Sequence, residues 1–255
     1  MESFRFEPVG IMESCFTDKF GTPRQPGLVP AAKGFLRLNR KLQPEYALEG
    51  LKEFSHLWLV FVFHDLKEYQ YRPKIHPPRL KGKSIGVFAS RSPHRPNPIG
   101  LSLVQILEVS QEGLWLGGLD LVNGTPILDI KPYLPEVEAI PAAQSGWVDD
   151  VQASAAQEEI QVEWSKAAEV SIEAWQQQKH GVILRDLIEQ TLKLDPRPLV
   201  YRGFEESDDS PYRQSHAVRI YEGDVHFRFT SKSRVEVTTV FWGSWSFSQP
   251  KNLFP

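Results

Sequence analysis

A chain of 255 residues, 41% hydrophobic and 24% charged, has the make-up of an ordinary globular protein with room for one large core or two smaller ones. A single cysteine, Cys15, excludes an intrachain disulfide and a zinc-ribbon cage, and the longest apolar stretch, Leu57 to Phe63, is too short to span a bilayer. No basic leader precedes an apolar run at the start of the sequence, so a reducing cytoplasm and no membrane partner are expected. The net charge of −3 argues against nucleic acid only until its distribution is read. From Arg72 to Leu107 there is no Asp or Glu, while Arg72, Lys74, Arg79, Lys81, Lys83, Arg91 and Arg95 all fall there. The interval Asp149 to Glu173 is acidic, with Lys166 its only basic residue. One basic zone on an otherwise acidic chain suits a phosphate-facing surface; a solvated loop with counter-charges elsewhere in the fold accounts for it equally well.

In chain order, Phe4, Phe6 and Val9 begin an extended segment, and Phe35 to Leu38 forms a short strand after Gly34. Leu57 to Phe63 is a continuous apolar run of strand length, expected at the centre of a sheet or barrel. Ile85 to Ala89 is a further short strand, and Leu101 to Val109 with Leu114 to Val122 form a hairpin around Gln111-Glu112-Gly113. Asn123-Gly124 is a strong turn signal leading into Ile127 to Ile130, and only Pro44 to Lys52 reads as helical. Many short strands with Pro- and Gly-rich connections predict a mainly β protein whose first part is a closed or nearly closed barrel. After Pro141 the composition turns to Ala, Gln and Glu, a linker that divides the chain into residues 1–141 and a smaller α+β part, 142–255. There Ser165 caps a helix with Ala168, Ile172 and Trp175 on one face, and a second helix carries Leu184, Leu187, Ile188 and Leu192 before Asp195-Pro196-Arg197-Pro198 stops it. Ala217 to Tyr221, Val225 to Phe229 and Val235 to Phe241 then read as a three-stranded meander.

Chemistry concentrates in Phe88 to Gly100. Prolines 93, 96 and 98 hold this stretch extended and strip it of backbone donors, so Arg91, His94, Arg95 and Asn97 project from a stiff ribbon. Two guanidinium forks and an amide suit phosphate oxygens and base edges; as an inert crossover, the same ribbon would pair its arginines with Asp120 or Asp129. Asp120 to Pro126 places a carboxylate at a strand end beside a glycine turn, an arrangement able to hold a ribose or amino group or simply to cap a hairpin corner. Pro23 to Gly27 is a rigid exposed turn with one Arg and one amide. There is no G-x-S-x-G elbow, no P-loop and no G-x-G-x-x-G. His56 and His64, eight residues apart, stand roughly 26 Å from each other in an extended run, so no metal cage is expected.

These segments resemble the TrmO, or TsaA-like, family of tRNA methyltransferases. The matching pieces are PRQPG at 23–27, FSHLWLVFVFH at 54–64, PPRL at 77–80, GVFASRSPHRPNPIGLS at 86–102 and DLVNGTPILDIKPYLP at 120–135, with DPRP at 195–198 beyond them. Asn123 stands where the family often has Asp; both residues suit the turn. The resemblance implies a single-sheeted antiparallel β-barrel that binds S-adenosyl-L-methionine, a homodimer, and N6-methylation of threonylcarbamoyladenosine beside the anticodon of a tRNA. By the same analogy, cofactor contacts come from Gln25, Pro26, Gly27, His64, Asp65, Arg91, Leu101, Leu119, Asp120 and Leu121. Contacts to tRNA are expected from Arg79, Lys81, Lys83, His94, Arg95, Asn97 and Arg197, with Tyr201 and Arg202 beside the last, though a buried helix terminus explains Asp195 to Pro198 equally well.

The nitrogen to be methylated belongs to a urea-like group whose lone pair is delocalised into a carbonyl. It attacks well only as its proton leaves, so Arg91 or Arg95 is expected to stabilise negative charge on the carbonyl oxygen, with Asp120, His64 or bulk water accepting the proton. Two other classes remain open to the sequence: an RNA-binding module without a methyl donor, and a small-molecule enzyme on the same barrel.

Overall fold

The computed structural model of the chain describes residues 3–66, 70–80, 82–149, 159–178, 183–198, 201–202 and 214–242. Six strands close into one antiparallel barrel, in the order β1 (Gly10–Ser14), β2 (Lys33–Leu38), β7 (Gly113–Gly117), β6 (Ile99–Val109), β3 (His56–Val62), β8 (Thr125–Pro132) and back to β1. The expected mainly β barrel is therefore present. In β3, Leu57, Leu59 and Phe61 fill the interior while Trp58, Val60 and Val62 are half-buried on the outer wall. The run is apolar on both faces because the outer wall is partly covered. Trp58 meets Tyr133 edge-on at 6.0 Å and donates its indole N–H to Glu138 (2.7 Å) on the short helix Pro135–Glu138.

Register decides which loops share an end. Pairings Ser14 with Gly34, Lys33 with Gly117, Val62 with Ile99 and Met12 with Thr125 all lie at one rim. Three connections leave it: 15–32 between β1 and β2, 63–98 between β3 and β6, and 118–124 between β7 and β8. The last crosses the barrel mouth and plugs it with Leu119 and Leu121, both fully or nearly fully buried. The long 63–98 excursion contains the two-residue strands β4 (Lys74–Ile75) and β5 (Ile85–Gly86), paired with each other, and short 3-10 turns at Pro78–Leu80 and Val87–Ala89.

A second sheet has the order β10 (His216–Ile220), β11 (Gly223–Ser231), β12 (Arg234–Trp242) and β9 (Gln161–Trp164), with β9 parallel to β12. Ser165 Oγ accepts from Ala168 N (3.1 Å) and starts the helix Lys166–Gln176, whose Ala168, Ile172 and Trp175 are buried as the spacing predicts. The helix Leu184–Lys193 likewise buries Leu184, Leu187, Ile188 and Leu192. This unit abuts the loop 15–32. Phe16 bridges to Ile220, Tyr221 N donates to Cys15 O (2.7 Å) and Ala31 N donates to Gln190 Oε1 (2.9 Å). The apolar cores of barrel and second unit are continuous with each other.

Four expectations are corrected. Phe4 and Phe6 are 81% and 66% exposed and precede β1 rather than belonging to it. β7 stops at Gly117 instead of reaching Val122, because Gly118 takes a positive φ (+69°) that turns the chain across the mouth. Gln161 to Trp164, assigned at its start to the linker, is a strand; parallel pairing to β12 depends on a partner more than 70 residues away. Short helical turns also occur outside Pro44 to Lys52, at Pro78–Leu80, Val87–Ala89 and Pro135–Glu138. Residues 150–158 of the acidic interval entering the second unit lie outside the described residues.

Candidate active site

The three rim connections meet. Arg91, on the proline ribbon, donates from Nη1 to Gln25 Oε1 (2.6 Å), tying the ribbon to the Pro23–Gly27 turn 66 residues away in sequence. That turn is fixed to the mouth-crossing segment by Gly27 N donating to Gly118 O (2.8 Å). The backbone conformation suits glycine on both sides, and at 118 the approach is also close. A Cβ on Gly118 would sit 3.3 Å from Gly27 Cα, and both residues have positive φ.

Asp120 lies two residues further along the same segment, flanked by the buried Leu119 and Leu121. Ser102 Oγ, pointing inward from β6, donates to Asp120 Oδ1 (2.6 Å). Burial pushes the carboxyl up to about 6, against the opposing pull of the Ser102 hydroxyl, a backbone N–H and the Arg91 guanidinium. Arg91 thus bonds Gln25 and lies close enough to Asp120 to act on its charge, so the constellation expected from sequence has both its cationic and its acidic member at one rim. His64 follows β3 with its ring beside the 123–124 turn; a Cβ on Gly124 would lie 3.8 Å from His64 Nε2. Partial burial lowers its pKa, with Asp65 opposing, which favours the neutral imidazole.

The ribbon is stiffened from within. Arg95 Nη1 donates to the carbonyls of Ser90 (3.1 Å) and Ser92 (3.2 Å), so much of its bonding capacity is spent on its own loop. Arg72 N donates to His94 O (3.2 Å), Phe63 N to Pro98 O (2.8 Å), and the Trp147 indole to Ala89 O (2.9 Å). His94 is half-buried, and its Nδ1 has no hydrogen-bond partner among the described residues. Arg79, Lys83 and Asn97 are exposed, as are the aromatic rings of Tyr71 and Phe88; Lys81 lies outside the described residues. Phe88, 73% exposed beside the ribbon, was not singled out from sequence, although an aromatic in an acid-free stretch is the signal that could have found it.

Two expected site residues stand elsewhere. Leu101 is 52% exposed on the outer wall of the barrel, one residue from Ser102 and therefore on the opposite face of β6. Arg197, expected on the tRNA, has a side chain only 3% exposed. Its Nε and Nη2 bind the two oxygens of Asp195 (2.8 and 2.9 Å), and its guanidinium carbon lies 3.5 Å from the centroid of the Phe229 ring. It is a packing residue at a buried helix terminus rather than a contact to tRNA. A shallow concavity of about 350 Å³ near Phe35, Arg37, Glu112 and Trp115 lies on the outer wall; Arg37 there already pairs with Glu13 and Glu112. No group of three or more His, Cys, Asp or Glu able to hold a metal occurs among the described residues.

Residues 11–139 match the tRNA-methyltransferase O N-terminal domain, and residues 157–241 match the TrmO C-terminal domain. The tRNA (adenine(37)-N6)-methyltransferase of Escherichia coli strain K12 is 43% identical over 235 residues, covering 90% of this chain and 95% of its own. A Pseudomonas aeruginosa protein named for S-adenosylmethionine-dependent methyl transfer, RcsF, is 43% identical over 241 residues, covering 92% and 97% of the two chains. The crystal structure of TrmO from Pseudomonas aeruginosa superposes with a TM-score of 0.76 at 37% identity, covering 95% of this chain and 99% of that one.

Proposed function

The chain belongs to the tRNA-methyltransferase O family, and we propose that it transfers a methyl group from S-adenosyl-L-methionine to N6 of threonylcarbamoyladenosine beside the anticodon of a tRNA. The observation that carries this reading is the meeting of Gln25, Arg91 and Asp120 at a barrel mouth whose rim also bears the acid-free basic stretch. No helix of the described residues is long and apolar enough to cross a membrane, and a cytoplasmic location suits a tRNA substrate.

The groups at the rim fit the cofactor. A buried carboxylate, a guanidinium, an amide and a glycine-lined turn, where a Cβ on Gly27 would meet nothing within 4 Å, suit a molecule with ribose hydroxyls, an ammonium, a carboxylate and a sulfonium. The cofactor supplies an already electrophilic methyl carbon. What the protein must add is alignment and a way to shed the N6 proton. Arg91, fixed by Gln25, is placed to stabilise negative charge that develops on the urea carbonyl. Arg95, turned into the ribbon, holds Arg91 in place by stiffening the loop. Asp120 is poised near neutrality by burial, so either it or the neutral imidazole of His64 can accept a proton at physiological pH.

Arg79, Lys83, His94 and Asn97 then face the anticodon stem-loop, and Phe88 offers a face on which an unstacked base can rest. Residues 1–141 serve as the methyl-transfer unit and residues 142–255 as the unit that helps to select the tRNA. The protein works as a homodimer; Leu101, Leu107 and Trp115 expose an apolar outer wall (52%, 42% and 43%) suited to self-association, and its mass in solution by light scattering tests this. The decisive experiment is transfer of labelled methyl into tRNA with and without the threonylcarbamoyl group. Incorporation only into the threonylcarbamoylated tRNA is expected; equal labelling of both, or none, sinks the proposal.

A further inference from the structure

Three hydroxyl side chains of the barrel strands are buried among the described residues: Ser14, Ser102 and Thr125. Ser14 Oγ accepts from Phe16 N (3.2 Å) and Thr125 Oγ1 donates to Val122 O (2.6 Å), so each closes a backbone turn beside it. Ser102, 1% exposed, instead donates to Asp120 Oδ1 (2.6 Å), 18 residues away in sequence. The strand itself does not call for a serine here. The inward face of β6 runs Gly100, Ser102, Val104 and Ile106, and Ser102 pairs with the fully buried Leu59 of β3. Alanine would serve such a position, whereas a hydroxyl carries a desolvation cost that only a hydrogen bond offsets. Asp120 supplies that bond and is itself half-buried, so a ligand at the rim can still reach its carboxyl. The charged side chain acting on Asp120 is Arg91 of the ribbon. The loop 15–32 brings the neutral Gln25 and Gly27 to the same rim, and partial burial holds His64, beside the 123–124 turn, toward its neutral form.

We propose that Ser102 is a positioning residue for the methyl-donor site, its hydroxyl fixing the Asp120 carboxylate in one orientation and keeping it ready to accept from the cationic donor. The inference rests on reading the rim as the S-adenosylmethionine site, and it adds a residue that acts on the ligand only through Asp120. A donor aimed at a carboxylate oxygen locks its rotamer and favours its ionised form. Without the hydroxyl the carboxyl stays packed between Leu119 and Leu121 but loses a bond that favoured its charge. It then holds its proton to a higher pH, and binding that needs the ionised group is lost across a wider acid range.

The test uses the full chain as wild type, Ser102→Ala, which removes the hydroxyl, and Ser102→Thr, which keeps it. In ligand-free protein carrying 13C-labelled aspartate, the Asp120 carboxyl signal is identified by its loss in Asp120→Asn. It should titrate near pH 6 in the wild type and about one to two pH units higher in Ser102→Ala, the size expected of one hydrogen bond to an ionised group. Ser102→Thr should titrate as the wild type does. By calorimetry, Ser102→Ala should bind S-adenosylmethionine roughly tenfold more weakly at pH 6, and the gap should narrow to about threefold or less at pH 8.5. A serine that only fills space would weaken binding equally at both pH values, and that result overturns the proposal. So does a shift of the same size in Ser102→Thr, because the hydroxyl would then not be the cause. Should Ser102→Ala fail to fold, Ser102→Cys, a weaker donor, takes its place in both measurements, with a smaller shift in the same direction expected. If the wild type binds the donor and methylates tRNA while Ser102→Ala keeps its titration and its pH profile, the role of Ser102 alone is wrong. If the wild type neither binds nor methylates, the functional reading falls and the role of Ser102 with it.

Discussion

Asp120 is kept at odds with its surroundings. Its pKa of about 6 stands above the ordinary 3.8 because burial disfavours the charge more than Ser102, a backbone N–H and Arg91 favour it. The sign follows directly: folding favours the protonated carboxyl, so this stabilisation is fully present below about 3.8 and is lost as pH rises through about 6. At pH 8 the ionised group costs the fold roughly 3 kcal/mol, at about 1.4 kcal/mol per unit of pKa. Asp120→Asn should therefore melt at a higher temperature than wild type at pH 8, with the gap closing at pH 4, as calorimetric scans at the two pH values would show. The same variant should bind S-adenosylmethionine at least tenfold more weakly, an order of magnitude taken from one lost charge-assisted hydrogen bond. Wild-type affinity should fall on the acid side of about pH 6, and that limb should vanish in the variant; a variant that is neither stabilised nor impaired would remove Asp120 from the site. Asp120 is marked in the sequence only as a carboxylate beside a glycine turn. Its poise was not legible there, because burial by Leu119 and Leu121 and contact with Ser102 exist only once the mouth is closed.

At the scale of elements, the ribbon and β6 are one device. Gly100 begins the inward face of β6 two residues after the last proline of the ribbon and pairs with Phe61 of β3. A Cβ there would stand 2.2 to 2.7 Å from the Phe61 ring, so Gly100→Ala should destabilise the protein by about 1–3 kcal/mol through overpacking. Adding Phe61→Leu should recover part of that loss, and denaturant titration of the four proteins in the cycle measures the coupling. Independent, additive costs would mean that the strand pair relaxes around the methyl group. The elements themselves were largely legible. A continuous apolar run, turn residues, a cap and, in the meander, period-2 alternation located the barrel strands other than β1, the Ser165-capped helix and the three-stranded meander. The failures share a cause: β9 and the early end of β7 depend on partners distant in sequence and on a glycine dihedral.

For the whole molecule, the seam between the two sheets governs what the second unit can contribute. Arg197 shows how it is braced: its side chain is enclosed against Phe229 and closed by Asp195. Arg197→Ala should lower stability by about 3 kcal/mol, because a largely buried carboxylate loses its counter-ion. Its tRNA affinity should fall together with the melting temperature. A stable Arg197→Ala protein would return this arginine to the surface role first expected of it. By itself the sequence determined the barrel, the two helices and the meander, and it singled out the three segments proposed to carry the chemistry. It could do so because hydrophobic period, proline stiffness and turn preference are local properties of the chain. Only the tertiary structure decided that those segments leave the same rim, that Arg91 bonds to Gln25, that Leu101 faces outward and that Arg197 is enclosed. Register and burial settle such matters, and both are set by strands and side chains far apart in sequence.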